Sequence, residues 1–180
     1  MPLYKTINPN SQTTVKIWKI TESYNDLMQS VNLKPKSLER VLGMKSELHQ
    51  RGFLSVRCLL DEFGYQDTDL FYDENGKLHL KDGKQISITH SFIFSVSEGM
   101  VGIDVEKQRD KITIIAHKFI GYEFDYLNEV DTDYIKKLTA IWCVKESLYK
   151  LFATPGISFR KHCLVIPFEL IDDETIAWID

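Results

Sequence analysis

Residues 131–152, Asp-Thr-Asp-Tyr-Ile-Lys-Lys-Leu-Thr-Ala-Ile-Trp-Cys-Val-Lys-Glu-Ser-Leu-Tyr-Lys-Leu-Phe, set the period against which the rest of the chain is read. Ile135, Leu138, Ile141, Trp142, Leu148, Tyr149 and Phe152 recur as one face of a helix would require. Asp131-Thr132-Asp133 offers short polar side chains to the first free backbone N–H groups, as an N-cap should. The spacing therefore predicts a long helix ending at Phe152, just before Thr154-Pro155-Gly156.

Moving outward, Ile112–Val130 keeps a helical period through Ile115, Phe119 and Leu127. Upstream the period shortens. From Leu70, brief apolar runs alternate with Asn75-Gly76, Asp82-Gly83 and Glu98-Gly99, the punctuation of a β-meander. Before that, Leu48, Phe53, Val56, Leu59 and Leu60 predict an amphipathic helix over 45–63, with Gly64 just after it. Downstream, Ile157–Leu170 alternates loosely and reads as one or two closing strands. Helix then strands, twice over, gives an α+β fold. It is expected as one compact unit over 1–180 with halves 1–97 and 98–180, and identity between the halves is too weak to assert a repeat.

A chain of 180 residues, 43% hydrophobic and 27% charged, has enough apolar mass for a core, which excludes wholesale disorder. The net charge of −4 argues against a general nucleic-acid binder and leaves room for a local basic pocket. Cys58, Cys143 and Cys163 are odd in number and lack metal-ligand spacing, so they read as small buried hydrophobes in a reducing compartment. The first twenty residues hold no continuous apolar stretch, and no run approaches the roughly 20 apolar residues of a membrane span. The expected location is the cytoplasm.

Three groups could carry chemistry. In Val101-Gly102-Ile103-Asp104-Val105-Glu106, read as a strand, Asp104 and Glu106 project from one face and could share a hard cation. The alternative is a solvated acidic face. On the long helix, Lys145, Glu146 and Lys150 crowd the apolar stripe, although Glu146 and Lys150 also have the spacing of an ordinary surface ion pair. If Glu146 reached the two strand acids, three carboxylates would leave room for water and phosphate oxygens around Mg²⁺, and the lysines would neutralise the same phosphates. No His or Cys stands at ligand spacing beside these acids, so softer metals fit less well. Finally, Thr89-His90-Ser91 offers two hydroxyls and an imidazole, suited to a phosphate contact or to an ordinary strand.

Taken in order, Gly76-Lys77, Thr89-His90-Ser91, Gly102–Glu106, Phe119–Glu123 and Trp142–Lys150 resemble the 4′-phosphopantetheinyl transferase superfamily, in its larger single-chain class. The resemblance spans roughly residues 45–160. It implies two pseudo-symmetric α/β halves, each a small antiparallel sheet packed against a long helix. It also implies transfer of the phosphopantetheine arm of coenzyme A to a serine of an apo acyl or peptidyl carrier protein, with release of adenosine 3′,5′-bisphosphate. Asp104, Glu106 and Glu146 match the Mg²⁺ ligands. Lys145 and Lys150 match the helix lysines, with Lys150 on the phosphates, and His90 with Thr89 and Lys77 matches the pocket for the 3′-phosphate. Arg57 resembles an arginine near the coenzyme. Glu146 or a metal-activated water is the implied base, and Glu123 matches an acid of the preceding helix, with a capping or solvated carboxylate as its ordinary role.

The chain departs from the family pattern at Thr89, where serine is common, and at Leu78, where proline is common. The basic cluster before the first long helix is thin, with Lys45 and Arg51 present but His49 and Gln50 where positive charge is common, and the chain ends at Asp180, short for the class. A monomer is expected, since two similar halves could supply contacts that smaller relatives make between subunits. Two other readings are a coenzyme A-binding protein of the same fold that no longer transfers, and a metal-dependent nuclease, against which the acidic balance counts.

Overall fold

The computed structural model describes residues 3–74, 76–89, 93–172 and 174–180. It is an α+β chain that divides into two compact units, Met1–Val101 and Gly102–Asp180. No helix among the described residues is long and apolar enough to cross a membrane.

The first unit begins with a hairpin that the sequence reading passed over, β1 (Leu3–Asn10) and β2 (Thr13–Trp18). Three helices follow, α1 (Tyr24–Ser30), α2 (Pro35–Leu42) and α3 (Glu47–Glu62). Next come four strands, β3 (Leu70–Tyr72), β4 (Leu78–Leu80), β5 (Gln85–Thr89) and β6 (Ile93–Ser97). The expected meander is divided between two sheets. β3 and β4 pair with each other, whereas β5 and β6 complete an antiparallel sheet in the order β1-β2-β6-β5. The register is set by apolar faces: Phe94 and Val96 of β6 join Trp18 and the α3 residues Leu54, Leu59 and Leu60 in one core. Helix α3 starts two residues later than the periodicity predicts, and Leu48, counted in its stripe, is 64% exposed. The chain leaves α3 through Gly64 at φ +81°, a conformation that glycine adopts at little cost.

The second unit holds α4 (Ile112–Phe119), α5 (Tyr134–Phe152), the single turn α6 (Phe159–His162), and an antiparallel pair, β7 (Cys163–Val165) and β8 (Ala177–Ile179). Helix α5 has the predicted extent, with Asp133 at its N-cap position. Helix α4 is shorter than expected. It stops before Gly121, whose backbone turns sharply, and a 3-10 turn over Tyr122–Asp125 replaces its continuation. A Cβ on Gly121 would stand 2.3 Å from the carbonyl oxygen of Arg160, so this bend also seats α6. Phe119, Ile120, Leu138, Ile141 and Val165 form the core of the unit.

Helix α5 ends on Ala153 in the left-handed conformation, φ 51°, with its amide on the carbonyl of Tyr149 at 2.7 Å. A glycine relieves the Cβ strain of that conformation but costs chain entropy. Ala153→Gly is therefore expected to raise stability by about 0.5–1 kcal/mol, read as a higher urea midpoint with an unchanged slope. A lower midpoint would contradict it.

Candidate active site

The acidic hexapeptide is not a strand. Residues 101–109 form neither helix nor ladder, and residues 101–105 are half-buried without alternation. What fixes this segment is contact with α5. A Cβ at Gly102 would stand 2.0 Å from the carbonyl oxygen of Ser147 and 3.1 Å from Cβ of Leu151, so only glycine lets the two backbones approach this closely. Gly102→Ala is expected to cost about 1–3 kcal/mol through overpacking and to pull the segment away from the helix. Thermal unfolding would read the loss. Gly99→Ala, where an added Cβ meets nothing within 4 Å, serves as the neutral control.

Two residues beyond Gly102, Asp104 turns back to the helix. Its Oδ1 accepts from Nζ of Lys150 at 2.7 Å, and the same ammonium donates to the carbonyl of Ile103 at 3.0 Å. The Asp104 side chain is only 7% exposed. Its other oxygen, Oδ2, is buried without a hydrogen-bond partner. A buried carboxylate oxygen left bare is costly, so one that persists calls for a ligand. Cys143, on the same helix, faces this carboxylate; burial first and then the charge of Asp104 push its thiol up to about 12.

Glu146 lines a groove of about 650 Å³ whose walls include Ile115, Phe119, Trp142, Tyr149 and Phe159. The aromatic rings brace one another edge to face: Trp142 lies 5.0 Å from Phe119 and 5.6 Å from Phe159 between centroids. Tyr149, assigned to the core stripe by periodicity, is 41% exposed at this groove. Glu106 is exposed and lines a smaller hollow of about 320 Å³, which shares Ile115 and Trp142 with the groove. Asp104, Glu106 and Glu146 thus all belong to the second unit, and hard oxygen donors with one bare buried oxygen suit Mg²⁺ in chemistry. They are not drawn into a ready-made cluster: among the described residues no three His, Cys, Asp or Glu side chains stand so as to hold a metal ion.

Lys145 takes a different place from the coenzyme contact expected of it. Its ammonium is wholly buried and gives its hydrogens to Oε1 of Glu123 at 2.7 Å and to the carbonyls of Phe119 and Phe159 at 2.8 and 3.1 Å. Burial pushes its pKa down and the Glu123 carboxylate opposes that shift. Glu123, for which a cap or a solvated acid was the ordinary expectation, is equally buried and also accepts from the amides of Gly121 and Val165. The pair ties α5 to both ends of the unit's core.

Arg57 is likewise spent inside its own unit. It donates Nε to Oδ1 of Asp67 at 3.0 Å, and its guanidinium lies 3.5 Å from the centre of the Phe53 ring. Burial alone would raise the Asp67 carboxyl, but the Ser37 hydroxyl, the Lys34 amide and Arg57 together hold it below its ordinary value. This replaces the coenzyme contact expected at Arg57 with a structural ion pair. Lys77 follows the β3–β4 turn, where its amide donates to Oδ1 of Asp73 at 2.8 Å. Thr89 closes β5 and is buried, while His90 and Ser91 lie outside the described residues.

The groove aromatics and the glycine contact escaped the sequence reading. Gly102 stood inside a motif read only for its acids, and the exposed rings of α5 follow the same period as its core.

Residues 100–178, nearly the whole second unit, match the family model of the 4′-phosphopantetheinyl transferase superfamily. No curated protein matches the chain. The match supports phosphopantetheine transfer as the class of activity.

Proposed function

We propose that this chain, whose residues 100–178 form a domain of the 4′-phosphopantetheinyl transferase superfamily, transfers the phosphopantetheine arm of coenzyme A to a serine of an apo acyl or peptidyl carrier protein. The observation that carries this reading is Asp104, held by Lys150 through one oxygen and left bare at the other, on the helix that also supplies Glu146 to an aromatic groove.

Asp104, Glu106 and Glu146 would hold Mg²⁺, which supplies charge neutralisation to the coenzyme's pyrophosphate when bound. Lys150 gives two of its three hydrogens to Asp104 and Ile103, and the third would serve a phosphate oxygen of the coenzyme. The groove suits a slender, partly apolar chain such as the pantetheine arm, with Trp142 and Phe159 excluding water. In the transfer, the serine oxygen forms a bond to the β-phosphorus. The bond from that phosphorus to the bridging oxygen breaks, and its electron pair leaves with adenosine 3′,5′-bisphosphate. Glu146 takes the hydroxyl proton of the serine on a carboxylate oxygen. Contacts to the 3′-phosphate belong, on the family resemblance, to His90, Thr89 and Lys77.

Each unit sets a long helix, α3 or α5, before short antiparallel strands, which supports reading the two as pseudo-symmetric halves; a monomer in the cytoplasm belongs to the family reading. Intact-mass measurement of apo carrier proteins incubated with the chain, coenzyme A and Mg²⁺ tests the proposal. A gain of one arm on serine, abolished by a chelator, is expected. Coenzyme binding with no modification of any carrier would reject transfer.

A further inference from the structure

Helix α6 is a single turn of four residues, too short to hold itself together in water, and the Ser158 hydroxyl at its N-cap position makes no capping bond. The turn is braced by its own last residue. The amide of His162 donates to the carbonyl of Ser158 at 2.8 Å, and the amide of Ser158 donates back to Nδ1 of the His162 ring at 3.0 Å. An amide N–H can only donate, so Nδ1 accepts, and the ring is held as the neutral tautomer with its proton on Nε2.

One wall of the groove rides on this turn. The Phe159 ring lies 5.6 Å from Trp142 and 6.1 Å from Tyr149 between centroids, and the Phe159 carbonyl accepts from Lys145 at 3.1 Å. Lys145 thus pins one end of the residue, while the other end hangs on Ser158 and so on the His162 ring. That ring also lines a hollow of about 350 Å³ that shares Gly156 and Ile157 with the groove and has Asp180 on its wall. A charged imidazole donates from both nitrogens, so protonation strips the Ser158 amide of its acceptor and makes the Asp180 carboxylate the better partner. Among the described residues lining the hollow, Asp180 is the one other group that titrates. On the elements packed around α6, Lys145 and Glu123 answer each other, His117 and Lys118 of α4 are exposed, and burial pushes the Cys163 thiol up, which keeps it neutral. Arg160 and Lys161 of α6 itself are exposed.

We propose that His162 is a positioning residue for the transfer: its neutral ring holds the turn that sets Phe159 against Trp142 and closes the groove on the pantetheine arm. This rests on the transferase reading above. An imidazole ordinarily takes its second proton at about pH 6.5. The neutral form is the one that holds the turn, so arm binding is full above that range and falls below it.

The test measures binding of coenzyme A and of adenosine 3′,5′-bisphosphate, which lacks the arm, by calorimetry at roughly pH 7.5 and 5.5, alongside transfer by intact mass. The ratio of the two affinities removes the titration of the phosphates that both ligands carry. His162→Asn places a carbonyl oxygen where Nδ1 stands and does not titrate, whereas His162→Ala removes the acceptor. In wild type the ratio is expected to fall about fivefold from the higher pH to the lower, the worth of one hydrogen bond. His162→Asn should hold it flat, and His162→Ala should show the loss already at the higher pH, with KM for the coenzyme raised and kcat unchanged. A wild-type ratio that does not move with pH overturns the proposal, and so does a His162→Asn ratio that moves as wild type does; neither outcome needs His162→Ala to fold. Coenzyme binding that follows the expected pattern while no carrier is modified would instead reject the transferase reading and leave the ring's hold on the groove standing.

Discussion

Lys145→Met is expected to lower the stability of the second unit by about 3–5 kcal/mol, the usual cost of removing one member of a buried ion pair. The reason is what remains. Glu123 would keep its carboxylate wholly buried with only the Gly121 and Val165 amides to hold it, and the carbonyls of Phe119 and Phe159 would lose their donor. Adding Glu123→Gln removes the stranded charge, so the double variant should recover part of the loss, a coupling that thermal or urea unfolding reads as non-additivity. Additive losses would show that the two side chains do not act as a pair. Secondary structure by circular dichroism should survive below the lowered melting point, because the deletion touches no cap and no ladder.

Glu146→Gln is expected to slow arm transfer by about 10²–10⁴-fold, the range over which a positioned base contributes. The amide keeps the shape of the side chain at the groove and can neither take the serine proton nor offer a full negative charge to a cation. Glu146 is only half-buried, so stability should stay within about 0.5 kcal/mol of wild type. Undiminished transfer at saturating Mg²⁺ would remove Glu146 from the chemistry. Near-normal unfolding in this variant, beside severe unfolding in Lys145→Met, would separate two adjacent residues of one helix into a chemical and a structural role.

Helix α5 was legible from its period, a signal confined to one face, although Asp133 at its N-cap position makes no side-chain cap and instead accepts from Lys136. The acids at 104, 106 and 146 stand out as candidates for a similar reason: each stands in a short, chemically distinctive string. What stayed hidden depends on contacts between segments. Nothing near Lys145 says that Glu123 will reach it, and a lysine in a motif of exposed charges reads as exposed. The acidic segment alternates like a strand, but Gly102 lays it against a helix rather than beside another strand, so its faces are set by α5 and not by a pleat. The division of the meander lies between β4 and β5: β5 stays at the sheet edge while β4 pairs with β3, and the Asp82-Gly83 turn between them does not show in the sequence whether the strands it joins will pair.

The buried pair also governs how the second unit assembles. Lys145 donates to a carbonyl 26 residues before it, and Glu123 accepts from an amide 42 residues beyond it, so three distant segments must arrive together before either charge leaves water. Until then each charge is better solvated outside, and closing these loops costs entropy with little early return. A half-built second unit therefore has no resting place. Its amides along α5 should exchange hydrogen only through global opening, in a single kinetic class, rather than by piecemeal release from either end of the chain.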